Sequence, residues 1–195
     1  MRKEIYLVHG LHRESYPEFE KRILTRAEGL VKDDRLSKLK VSLTKEKPPL
    51  ISIIPFKKNK IAAISLEREI KDRLPDLEEV SGFAGSYLVE EAVPVAYQKD
   101  WPDSKLTPGI CLLTLFRQRI DISRALFLER WHHGHTPLSL KIHPLWNYNR
   151  NVVLQQLNEN SDPWDGIVEE QFEKKSDLLN PVKFFGNPLV MPYRM

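Results

Sequence analysis

Cysteine is nearly missing from this chain: of 195 residues, one is a cysteine, Cys111, and it sits inside the apolar run ICLLTLF at 110–116. Neither a disulfide framework nor a thiolate metal site can be built from it, and a reducing compartment, the cytoplasm, is expected. Long hydrophobic runs are absent as well. The opening MRKEIYLVHGL holds an apolar stretch of strand length with no small-residue cleavage site, so neither a targeting segment nor a membrane partner is expected. Nor is there a block of one charge sign, because 30 Lys+Arg and 27 Asp+Glu leave +3 spread along the chain. Phosphate binding wants a concentrated basic face, so nucleic acid is not an expected partner. The nearest approach to such a face, PFKKNKI at 55–61, reads as a charged hairpin tip. The eight glycines form neither a phosphate-binding loop nor a dinucleotide fingerprint.

What is present is enough to fold: 41% hydrophobic residues can build a core. KEIYLVHGL reads as a strand. In SYPEFEKRILTRAEGLV, Ser15 stands three residues before Glu18 and Pro17 falls in the first turn, which is the spacing of a capped helix start. Then come LKVSL, LISIIPF and IAAISLE as strands, the last two parted by a turn at Lys57–Lys60, REIKDRLPDLEEV as a helix and SYLVEEAVPVAY as a strand. The order β-α-β-β-α-β is the split-βαβ, or ferredoxin-like, arrangement.

Residues 99–108 lose all periodicity and serve as a linker, and the pattern then restarts. ICLLTLF is a strand, SRALFLERWHHGH a helix, LWNYNRNVVLQQL and WDGIVEEQF strands, KSDLLNPVKFF a helix and NPLVMPYRM a short last strand. Ser15, Phe19 and Arg22 recur 108 positions later as Ser123, Phe127 and Arg130, a weak internal repeat. The expected fold is α+β, with two tandem ferredoxin-like halves, 1–98 and 109–195. Their antiparallel sheets would pack face to face as a barrel within one chain. Such a chain is a monomer, or a homodimer through surfaces other than the barrel seam.

Three of the six histidines crowd into FLERWHHGHTPLSL at 127–140. On a helix Leu128, Trp131, His132 and His135 form one stripe, with His133 pointing elsewhere. Gly134 and Pro137 are expected to break that helix, with Thr136 capping the next segment. The histidines could be satisfied by backbone groups, could ligate a metal, or could carry protons. HxxH without a third ligand makes the metal site the weakest of the three. Tyr148 and Arg150, two apart on a strand, face one side and could hold an enolate or carboxylate, although an alternating strand gives the same pattern. Trp131, Trp146 and Trp164 could line a cavity or simply fill core. Asp165–Gly166 reads as a turn. Glu169 and Glu170, being adjacent, point to opposite faces and form no carboxylate pair.

The run ISRALFLERWHHGHTPLSLKIHPLWNYNRNVV through WDGIVEEQF resembles the EthD domain, a family of the dimeric α/β-barrel superfamily. The resemblance covers residues 109–186 and rests on Phe127, Trp131, His135, Pro137, Leu138, Pro144, Leu145, Tyr148, Asn151, Asp165 and Gly166. The glycine of the family's Pro-Gly-Leu turn is missing between Pro144 and Leu145, and the first half matches much less well, with Leu24 and Ala27 at the places of His132 and His135. The resemblance implies a cavity between sheet and helices that takes a small, apolar carbonyl, aromatic or polyketide-type compound. It also implies chemistry of oxidoreductase or dehydratase, cyclase or isomerase type. His135, His132, Tyr148 and Arg150 are the expected catalytic residues, and Phe127, Trp131, Trp146, Asn151 and Asp165 the expected substrate contacts. No cofactor or metal is expected, although the superfamily leaves haem, flavin and metal open. The alternative is a non-catalytic barrel that binds a small molecule or acts as a scaffold.

Overall fold

The computed structural model describes residues 2–49, 60–69, 75–103 and 105–186. Across them the chain is α+β, with seven strands and antiparallel pairing. It divides into two compact units, Met1–Glu90 with Val153–Pro163 and Glu91–Val152 with Trp164–Met195. Residues 153–163, from the second half of the sequence, thus belong with the first unit, and residues 91–98 with the second. No helix among the described residues is long and apolar enough to cross a membrane.

In the first unit β1 (Arg2–His9) is flanked by β3 (Ile61–Arg68) and β4 (Phe83–Val95), and β2 (Leu36–Leu43) pairs with β3, giving the order β2-β3-β1-β4. A strand paired on both sides and covered on both faces reads as an unbroken apolar run, and Ile5, Tyr6, Leu7 and Val8 are all at most 1% exposed. Helix α1 (Tyr16–Val31) starts as its sequence dictates: the Glu18 amide donates to Ser15 Oγ at 3.3 Å, and the Ser15 amide donates to Glu18 Oε2 at 2.7 Å. Its buried residues are Phe19, Ile23, Ala27 and Leu30, spaced four, four and three apart. Phe19, Ile23 and Leu30 pack on Tyr6, Val8, Ala62, Ile64, Leu66 and Leu77.

The helix expected from Arg68 onward is described only at α2 (Pro75–Glu78). Arg68 itself ends β3, where it stands opposite Arg2 of the neighbouring strand and its guanidinium is paired with Glu4. Residues 70–74, the expected strand LISIIPF and the turn up to Asn59 lie outside the described residues.

In the second unit β5 (Ile110–Phe116) and β6 (Asn147–Gln156) flank β7 (Gly166–Phe172), giving the order β6-β7-β5. Helix α3 (Arg124–Glu129) is capped by Ser123, whose Oγ accepts from the Leu126 amide at 3.2 Å, the same role that Ser15 plays in α1. The expected break at Gly134 and Pro137 does not occur. The chain widens instead into a π-helical turn at Arg130–His135 and runs on as α4 (Thr136–Ile142), with His135 and Thr136 both in right-handed helical conformation. Proline at 137 has no amide to offer the carbonyl four residues back, and bonding five residues back, as in the Thr136 amide to Trp131 O, lets the helix pass without a break. Thr136 is not a cap either, since its hydroxyl donates to Trp131 O at 2.9 Å.

The expected helix KSDLLNPVKFF is two short ones, α5 (Lys175–Leu179) and α6 (Pro181–Phe185). Asn180 divides them by accepting from the Val182 and Lys183 amides through its side chain, ahead of Pro181. The expected last strand lies in residues 187–195, outside the described ones.

Candidate active site

Strand alternation sorts the second unit's polar residues onto two faces. Tyr148, Arg150 and Val152 of β6 stand beside Glu170, Val168 and Gly166 of β7, and these beside Leu112, Thr114 and Phe116 of β5. This face is covered by the α3–α4 helix: Phe127 and Trp131 pack on Tyr148, Val152 and Val168, with Phe116 and Leu145 beside them. The rings of Phe116 and Trp131 meet edge to face, 4.7 Å between centroids. Gly166 makes room for them, because a Cβ there would lie 2.3 Å from Phe116 and 2.7 Å from Trp131. What reads as a turn glycine is a packing glycine at the start of a buried strand.

The π turn decides which side chains look at this face. Across it the buried residues are Phe127, Trp131, Thr136 and Ser139, spaced four, five and three apart. An α-helical stripe would have carried His135 inward; bonding to the fifth residue brings Thr136 in and leaves His135 exposed. His135 Nδ1 lies 3.2 Å from Ser139 Oγ. Partial enclosure pulls its pKa below the ordinary histidine value, an effect that solvent on its open side limits. His132 is half-buried against the Trp131 ring and His133 is exposed.

Beneath the turn, Thr136 gathers the polar groups. Arg150 Nη1 donates to its Oγ1 at 3.1 Å, and the Arg150 guanidinium lies 5.9 Å from the centre of the Trp131 ring. The Tyr148 hydroxyl hydrogen-bonds with the side chains of Thr136 and Trp131; burial is the larger influence and pushes its pKa up. Glu170 lies directly across from Tyr148. It is 7% exposed, no hydrogen bond reaches its carboxyl among the described residues, and burial pushes that carboxyl up to about 7. Read only as half of a pair with Glu169, Glu170 carries no role in the sequence. The signal in the sequence is that, two residues away on either side and so on the same strand face, Glu170 has the apolar Val168 and Phe172 in GIVEEQF.

The remaining expected contacts are elsewhere. Trp146 packs on Tyr97 and Trp101, with centroids 4.8 and 5.5 Å away, and Trp164 lies under the Arg117 guanidinium. Asn151 is on the opposite face of β6, donating to Ile167 O at 3.0 Å. Asn147 and Asn149 share that face, where Asn149 donates to Glu91 at 2.7 Å. Asp165 holds the loop before α3: its carboxylate takes Arg124 Nη1 and the Gln118 amide, both at 2.7 Å. Among the described residues no group of three or more histidine, cysteine, aspartate and glutamate side chains could hold a metal ion. No family model matches the chain, and no curated protein matches it by sequence.

Proposed function

We propose that the chain is an EthD-like protein whose two units are tandem ferredoxin-like repeats. The second would carry a site for acid/base chemistry on a small, largely apolar carbonyl, aromatic or polyketide-type compound. The repeat is supported by the strand orders β2-β3-β1 and β6-β7-β5, and by Ser15 and Ser123 capping the first helix of each. The observation that carries the site is the meeting of Tyr148, Arg150 and Glu170 on one helix-covered face walled by Trp131 and Phe127. Such a face offers apolar surface for a substrate body and a few polar groups for its reacting end. No cofactor enters this reading.

A second reading, a non-catalytic binding or scaffolding protein, is favoured by one observation: Tyr148 and Arg150 already bond to Thr136. Turnover separates the two. Purified protein is screened against small aryl ketones and polyketide-like diketones. The enzyme reading expects turnover that Tyr148→Phe and Arg150→Met each reduce at least about tenfold, and that His133→Ala leaves unchanged. Binding of these compounds without any turnover supports the binder.

A further inference from the structure

Of the ionisable groups under the α3–α4 helix, Arg150 and Tyr148 are engaged with Thr136, and His135 is on the solvent side. Glu170 is the one whose oxygens are not taken up by a neighbour among the described residues. On β6 it faces Tyr148, with Arg150 two residues further along the same face and opposite Val168, on β5 it faces Leu112, and the covering helix turns Trp131 and Thr136 to the same face. A carboxyl on a residue only 7% exposed, with neither donor nor cation on it among the described residues, is costly if its only role is to fill space, since an apolar side chain would fill it without that cost.

We propose that Glu170 is the proton-carrying catalytic group of this site and that its substrates are enolisable, uncharged apolar ketones. This rests on the acid/base reading above. One carboxyl oxygen gives its proton to the ketone oxygen while the other takes the proton from the α-carbon. The C–H bond breaks, the carbonyl π pair becomes the enol O–H bond, and the carboxyl ends protonated, so no co-reactant is consumed. Arg150 and Tyr148 then act as positioning residues that hold the helix over the carboxyl, which fits their bonds to Thr136.

Two measurements on the full chain test this. A neutral carboxyl, unlike a carboxylate, is esterified by an aryl diazoacetamide: its proton goes to the diazo carbon, a C–O bond forms there and N2 leaves. Mass spectrometry after treatment of the folded protein should find the ester on Glu170 at pH 6 and about tenfold less of it at pH 8, as expected of a carboxyl that titrates at about 7. Excess phenylacetone should protect it. No ester on Glu170, or an ester that phenylacetone leaves undiminished, overturns the proposal.

The second measurement is deuterium exchange into the α-carbon of phenylacetone in D2O, read by NMR. Wild type should catalyse it and Glu170→Gln should lose at least about tenfold. Exchange unchanged in a natively folded Glu170→Gln variant overturns the role of Glu170 and leaves the enzyme reading standing. Ester formation as expected with no exchange by wild type overturns the enzyme reading, and the proton step with it.

Discussion

Each unit places a tyrosine, a glutamate and an arginine under its helix, and the two trios solve the same electrostatic problem differently. In the first unit Arg68 Nη2 meets both Glu4 oxygens at 2.8 and 3.0 Å, and the Tyr6 hydroxyl donates to Glu4 at 2.9 Å, with Glu4 and Arg68 each at most 1% exposed. In the second, Arg150 turns to a hydroxyl and an indole ring, and Glu170 has no hydrogen-bond partner among the described residues, so burial pushes its carboxyl up to about 7. The trios are not copies. By strand register, Leu39, Val41 and Leu66 of the first unit stand where the second has Tyr148, Arg150 and Glu170. A buried carboxylate can be neutralised by a cation or by protonation, and only the protonated one is left able to exchange a proton with a ligand.

The comparison breaks first at Glu4. Glu4→Gln leaves the Arg68 guanidinium buried without its counter-charge, and urea unfolding at pH 8 should show a loss of about 3–5 kcal/mol. Glu170→Gln at the same pH should cost nothing or stabilise, because it removes a carboxylate that burial penalises. Equal losses would erase the distinction between the two trios.

A pH series sharpens it. The folded Glu170 pKa is raised from 4.5 to about 7, so its contribution is fully present below pH 4.5, is lost as pH rises from 4.5 to 7, and is flat beyond. The difference between wild type and Glu170→Gln should therefore change by on the order of 3 kcal/mol across that window. Taking the difference removes the opposite slope of Glu14 and Asp33, whose pKa values their arginine partners hold below the carboxylate range. A difference that stays constant from pH 4.5 to 7 would mean that Glu170 is not held neutral.

The smallest effect is steric. Gly166→Ala pushes a methyl into the Phe116–Trp131 contact and should lower stability by about 1–3 kcal/mol. Near-UV circular dichroism should change with it, because those rings lose their packing. An unchanged midpoint and spectrum would show that the aromatic wall is slack.

Local chemistry was legible in the sequence, and its tertiary consequences were not. The Ser15 cap and the two-residue alternation that sends Tyr148 and Arg150 to one face follow from nearest-neighbour rules. The π turn does not, because Gly134 and Pro137 signal only that an α-helix is in difficulty, and a break and a widening relieve it equally well. That ambiguity exchanged Thr136 for His135. The burial of Glu170 is likewise a tertiary outcome: alternation names its face, while the α3–α4 helix covers that face and β5 and β6 pair with β7 on both sides.

The spacing of buried residues along the two helices differs by a single residue. Four, four and three in the first unit become four, five and three in the second, so the later helix holds one residue more than its packing uses. Gly134, exposed and with nothing within 4 Å of its Cβ direction, is the residue most easily spared. Gly134 and the exposed His133 and His135 therefore ride on the outside of the widened turn, where polar side chains cost the core nothing.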